Sequence, residues 1–412
     1  MSFGDAVTRL AAGGGLVVQP RMGFADPRRM REGLLATRDA KAVTVGTITL
    51  DSYTRVGDER AVRRCLARGD DLNGYPIVGH GAAVTGAMLD GVRTPDFPIQ
   101  VRHGSADPRH IVTALLRAGL DATEGGPVSY CLPYSRAPLT VAVGNWARAC
   151  ERLASSDAAH LETFGGCMMG QLCPPALLVA LSVLEGLFFR QHGLRSISLS
   201  YAQQTNPAQD EEAVAALARL TAELLPDVPS HIVIYTYMGV YPRTAAGARR
   251  LLASSARLAV RTGAARLIVK TAAEAYRIPS IAENVDALEL AAAVAAGERR
   301  APGPDDTGIY SQARAIVDAV LETSADVGAA LVAGFARGYL DVPYCLHPDN
   351  AGRTRGFLDA TGRLRWRRIG SLPIRACADQ ITGAPMTSTE LVDALSYVER
   401  TYDGTDRRSV RP

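Results

Sequence analysis

Residues 97–119 read FPIQVRHGSADPRHIVTALLRAG, and this stretch decides the fold. Residues 97–101 form a short apolar run suited to a strand; Asp107 and Pro108 then open a segment with apolar side chains at helical spacing. A strand, a polar link and an amphipathic helix make half of a crossover that sets successive strands parallel. The unit recurs. Strand candidates occupy 16–20, 42–50, 75–78, 97–101, 121–124, 160–164, 196–201, 232–237 and 266–270, with helical stretches such as 26–38, 106–119 and 244–263 between them. Asp26, Asp107 and Ser280 read as helix N-caps. About eight such units predict an α/β fold, a (β/α)8 TIM-type barrel. The candidates outnumber the staves, so at least one lies outside the barrel. A doubly wound open sheet also satisfies the alternation, but no GxGxxG follows a strand to support it.

After about residue 300 the pattern changes to a long helix (305–336), a Pro/Gly/Arg-rich segment (341–375) and a last helix near 387–401. The expected organisation is a barrel over 1–300, a C-terminal helical and irregular extension over 301–402 packed on it, and a disordered tail over 403–412. The 412 residues are 47% hydrophobic and 21% charged, with net charge +3. That suffices for a large core and argues against nucleic acid or a membrane surface as partner. The N-terminus lacks a basic segment followed by an apolar run, and no apolar stretch is long enough to span a bilayer. The richest apolar run, 176–189, carries Glu185 and reads as a buried helix. Seven scattered cysteines without CxxC spacing suit reduced thiols and a cytoplasmic location.

In a barrel, chemistry is carried at the C-terminal ends of the strands. There the sequence sets Arg21, Arg55, Arg102, Glu124 and Lys270, with Glu274 one helical turn on. Three guanidiniums crowded together repel one another unless an anion joins them. Their forks suit carboxylates bidentately, so a dicarboxylate could occupy all three. Glu124 adds an acceptor for a substrate ammonium, and the charge balance then favours a glutamate-like ligand. Any one of these arginines alone reads more simply as a salt-bridged surface group. His80 and His103 lack the HxH spacing or carboxylate pair of a metal site, and no metal is expected. Lys270 also suits the Schiff-base role of a stand-alone barrel lyase or aldolase.

The strings QPR (19–21), DSYTR (51–55), NGYPIV (73–78), RHG (102–104), EGGPVSYCLPY (124–134), CPP (173–175) and IVKTAAEAYRIPS (268–280) occur in this order. As a set they resemble the large, ε subunit of adenosylcobalamin-dependent glutamate mutase. The resemblance runs from about residue 17 to about residue 353. It implies that Arg21, Arg55 and Arg102 form a claw on the substrate carboxylates. It likewise implies that Glu124 takes the ammonium, that Tyr130, Tyr134 and His103 line the substrate, and that Lys270, Glu274, Asn73 and Gly74 face the cofactor. The activity implied is the radical interconversion of L-glutamate and 3-methylaspartate, or action on a close analogue. Adenosylcobalamin would be held mainly by a separate small subunit carrying DxHxxG, a motif this chain lacks, with the large subunits forming a homodimer. Two departures stand out: Pro127 follows the glycine pair where the family has glycine, and Cys167, Met168 and Met169 replace small or polar residues.

Overall fold

The computed structural model describes residues 1–165, 172–377 and 386–404, so Cys167, Met168, Met169 and most of the expected tail lie outside the described residues. The main sheet has eight strands: β1 (Val17–Gln19), β2 (Gly46–Thr49), β3 (Ile99–Arg102), β4 (Ala122–Glu124), β5 (His160–Glu162), β6 (Ile197–Ala202), β7 (Ser230–Tyr235) and β8 (Arg266–Ile268). All pairings are parallel, in the order β1-β8-β7-β6-β5-β4-β3-β2. A parallel bridge between Val18 and Thr44 joins the two edges, and the Val18 N–H donates to the Val43 carbonyl at 2.9 Å. The sheet thus closes into the (β/α)8 barrel that the alternation predicts, with a C-terminal extension following it.

The surplus candidate is 75–78. Tyr75 makes a single bridge to Leu50, and Ile77 already begins the helix Ile77–Leu89. Pro76 offers no N–H to extend a ladder. Gly74 lies so close to the Leu50–Asp51 backbone that a Cβ there would meet it within 2.7 Å. Other departures are local. Helix 106–119 starts at Arg109, with Pro108 at the cap position and Asp107 bonding the Arg109 guanidinium at 2.6 Å. The expected helix 305–336 is two, Ile309–Leu321 and Val327–Arg337, because Asp326 caps the second by accepting from Ala329 N at 2.6 Å. The last helix also divides, into Ser388–Leu395 and Tyr397–Asp403. The segment 341–375 contains an antiparallel hairpin, Arg355–Leu358 with Leu364–Arg368.

The lower barrel lumen is polar where branched aliphatics are usual. Arg266 and Glu162 are fully buried and paired, and Arg266 also donates to Gln19 and Gln100. Ser198 donates to Glu162 at 3.1 Å, and Gln19 donates to Thr47 at 2.8 Å. A buried ion pair is costly unless its remaining donors and acceptors are met, and this lattice meets most of them. From below, Phe3 of the N-terminal helix Phe3–Ala12 sets its ring 4.9 Å from the Arg266 guanidinium carbon. The bottom of the lumen is thus plugged and its middle filled. Among the described residues no helix is long and apolar enough to cross a membrane.

Candidate active site

The mouth is organised around Glu124, the last residue of β4, which is only 1% exposed. Arg102, ending β3 next door, donates Nε to Glu124 Oε2 at 2.7 Å and is itself buried. The Tyr235 hydroxyl donates to the same oxygen at 2.7 Å, and the Tyr130 hydroxyl donates to Oε1. Tyr235 also reaches Glu162, linking the mouth to the lattice below. A carboxylate has room for about four donors, so Glu124 retains capacity for one more. Nη1 of Arg102 is buried with no hydrogen-bond partner.

His103 follows on the same strand end. Its Nδ1 accepts from Ser105 N at 3.2 Å, which leaves the ring proton on Nε2, and that atom too is buried without a partner. Burial, with the nearby His110 and Arg55 charges, pulls its pKa down to about 3, so the ring is neutral. It stacks on Trp146 at 5.9 Å and meets the Tyr130 ring edge-on at 5.1 Å. Tyr134 contacts Tyr130 at 5.6 Å and lines a cavity of about 660 Å³ shared with Arg136, Tyr344, Cys345 and Leu346.

The glycines after Glu124 serve the protein rather than open space for a ligand. Gly125 has φ +126°, and a Cβ there would strike Trp146 and Tyr130. At Gly126 a Cβ would strike the Glu185 carboxylate. Glu185, fully buried in the helix Pro175–Gln191, accepts from Val128 N and Ser129 N at 2.9 Å each. It thereby holds the loop that presents Tyr130. Burial pushes Glu185 up to about 7, against those backbone donors.

A second group stands at the ends of β1 and β8. Arg21 donates to Glu274 at 2.8 Å, and Lys270 lies 3.9 Å from the same carboxylate. Lys270 also donates to the Tyr237 carbonyl at 3.4 Å and sits 4.1 Å from the centre of the Tyr241 ring. Burial pulls Lys270 down to about 8, with Glu274 opposing and Arg21 assisting. Arg55 does not end a strand: it closes the short helix Ser52–Val56, capped by the buried Asp51, and donates Nε to Leu50 O at 3.0 Å. Asn73 is exposed and accepts from Ser52 N at 2.9 Å, steadying that helix. Gly74 is buried against the Leu50–Asp51 backbone just after β2, as described. His80 is spent on the Ala25 carbonyl at 2.8 Å.

The structure therefore brings the expected residues to one end of the barrel but pairs them differently from a free triple claw. Arg102 and Glu124 form one pair, and Arg21, Lys270 and Glu274 another cluster. Sequence reasoning missed Tyr235, Tyr237, Tyr241 and Glu185. Their signal was present, since the first two belong to the strand run 232–237 and Glu185 is the lone charge in 176–189.

The family model described as methylaspartate mutase E chain matches residues 1–388. A glutamate mutase epsilon subunit from Halobacterium salinarum is 33% identical over 344 residues, covering 79% of this chain and 71% of that one. One from Escherichia coli O157:H7 is 29% identical over 396 residues, covering 90% and 81%. The chain belongs to the methylaspartate mutase E chain family, and its enzyme class is that of an isomerase.

Proposed function

We propose that this chain is the substrate-binding catalytic subunit of a cobalamin-dependent carbon-skeleton mutase that interconverts L-glutamate and 3-methylaspartate. The observation that carries the reading is the buried, unpartnered Nη1 of Arg102 beside Glu124. A buried charged donor without an acceptor is expensive, and a substrate carboxylate supplies that acceptor. His103, neutral and with its Nε2 proton unpartnered, offers a second donor next to it. Glu124 keeps one acceptor position, which suits an α-ammonium. Across the mouth, four cations (Arg21, Arg55, Arg102, Lys270) face two carboxylates (Glu124, Glu274), a surplus of positive charge that attracts a dicarboxylate.

The residues also fit a cofactor presented from outside. Exposed Tyr53, Val56, Tyr134, Val240, Tyr276 and Ile278 all lie on segments that follow strand ends, so the rim is apolar around a polar centre. Such a rim suits a large flat group carried on a small partner subunit. Lys270 and Glu274, both largely buried at the strand ends, would hold its ribose. Adenosylcobalamin, when bound, supplies the radical chemistry that no side chain here provides. The chain's own part is to hold both carboxylates and the ammonium in a closed site and to exclude water.

The test combines this chain with a cobalamin-binding small subunit, adenosylcobalamin and L-glutamate; formation of 3-methylaspartate is expected. No product with a small subunit that is active alongside another large subunit would remove the assignment. Arg102→Lys keeps the charge and loses the fork, so glutamate binding should weaken at least tenfold while the subunits still assemble. The depressed pKa of Lys270 favours one rival, a Schiff-base lyase. Borohydride with substrate, followed by mass measurement, separates the two: an adduct on Lys270 sinks the mutase reading.

A further inference from the structure

The helix Tyr397–Asp403 lies beyond the family match, which ends at residue 388. It is not loosely attached. Asp403 accepts from Arg243 N at 2.8 Å, Thr244 N at 3.2 Å and the Thr244 hydroxyl at 2.6 Å. These groups start the long helix Ala245–Thr262, so Asp403 adds a carboxylate from outside to that helix's N-terminus. At Gly247 a Cβ would strike the same carboxylate, so the glycine leaves it room. Glu399 pairs with Arg243 at 2.7 Å. Val398, 1% exposed, packs in one apolar cluster with Tyr237, Tyr241, Ala248 and Leu251.

These contacts fall on the link that follows β7, residues 236–244, and on the first two turns of the helix that it feeds. That link also shapes the surroundings of Lys270: the Tyr237 carbonyl accepts from its ammonium and the Tyr241 ring covers it. We infer that the helix Tyr397–Asp403 is a clamp that sets Tyr237 and Tyr241 against Lys270, with Val398 and Asp403 as positioning residues. The consequence for catalysis rests on the reading of Lys270 as a cofactor-facing group; the physical coupling does not. Without the clamp the link keeps its ties to Gln203 and Tyr276, but the Tyr241 end shifts outward and water reaches Lys270. The charged groups that remain around it, Glu274 and Arg21, come from other links and stay in place.

The sequence makes the test direct, because Lys270 and Lys41 are the only lysines. The full-length chain, reductively methylated with ¹³C-formaldehyde, gives signals from the two lysines and the terminal amine, and Lys41→Arg and Lys270→Arg together assign them. Asp403→Ala and Val398→Ala should each raise the Lys270 titration midpoint by roughly one pH unit, toward the ordinary lysine value of about 10.4. Both should also reduce the ring-current shift that Tyr241 imposes, while Asp403→Asn, which keeps one acceptor, should restore most of each effect. A midpoint and shift unchanged in both variants, even with lowered thermal stability, would overturn the clamp. Should Val398→Ala fail to fold, Glu399→Gln, which loosens the pairing with Arg243, gives the same readout. No cofactor or substrate is needed, so a shifted midpoint upholds the clamp even if Lys270→Arg later proves harmless to turnover.

Discussion

Replacing Glu124 by Gln isolates the charge at the centre of the mouth. The amide oxygen can take the place of Oε2, accepting from Arg102 and Tyr235, while the amide NH2 can donate to the Tyr130 hydroxyl. Hydrogen bonds are thus largely conserved, and what disappears is the negative charge beside a guanidinium that is 4% exposed. Leaving one partner of a buried pair uncompensated costs about 3–5 kcal/mol. With the hydrogen bonds retained, Glu124→Gln should fall near the lower limit, about 3 kcal/mol. Arg102→Gln should cost at least as much, because it strands the carboxylate. Combining both removes the stranded charges, so the double variant should be more stable than the sum by about 2–3 kcal/mol. Equilibrium urea unfolding of the four proteins measures this, with Trp146, 6.1 Å from the Tyr130 ring, as a nearby fluorophore. Single losses below about 1 kcal/mol, with additivity in the double variant, would mean that water screens the pair as at a surface, and the reasoning fails. A mouth residue at a strand end would by itself predict little loss of stability; burial reverses that expectation.

Three further outcomes follow from the same geometry. Glu185, raised from 4.5 to about 7, contributes stability that is complete below pH 4.5 and lost as pH rises through 7. Glu185→Gln should therefore match the parent near pH 4.5 and exceed it by about 3 kcal/mol at pH 8; a difference independent of pH in urea unfolding would contradict this. Lys270 has the opposite slope. Its pKa is lowered from 10.5 to about 8, so the unfolded chain takes up its proton first and the parent gains stability as pH rises from 8 to 10.5. Lys270→Met should stabilise the chain at pH 7 by up to about 3 kcal/mol, with the advantage vanishing above pH 10.5; equal curves at both pH values would show that Lys270 is hydrated. Finally, Gly126→Ala should destabilise strongly because its methyl enters the space of the Glu185 carboxylate. Glu185→Ser should relieve much of that loss in the double variant, and a failure to do so in thermal unfolding would mean that the clash lies elsewhere.

The barrel was legible because its signals are local. A strand's buried run and a helix's 3.6-residue spacing are written over a few residues each, and 97–119 shows both in one unit. The break at Asp326 was written as a cap and overlooked, whereas 75–78 has strand composition and loses to the close approach of Gly74 to the Leu50–Asp51 backbone. Strand ends likewise told which side chains reach the mouth, because a parallel barrel turns every strand's C-terminus the same way.

What the sequence by itself determined is thus the stave pattern and the set of charged groups at one end. Which charge neutralises which was decided by tertiary structure alone. Arg21 and Glu274 are 253 positions apart and meet because β1 closes against β8; Arg102 and Glu124 meet because β3 and β4 are neighbours. Periodicity tells the face a side chain lies on, not its distance across a closed lumen or its access to water. Those two quantities set Coulomb energy and desolvation, and so make Glu124 a buried partner of Arg102 rather than a free carboxylate at an open mouth.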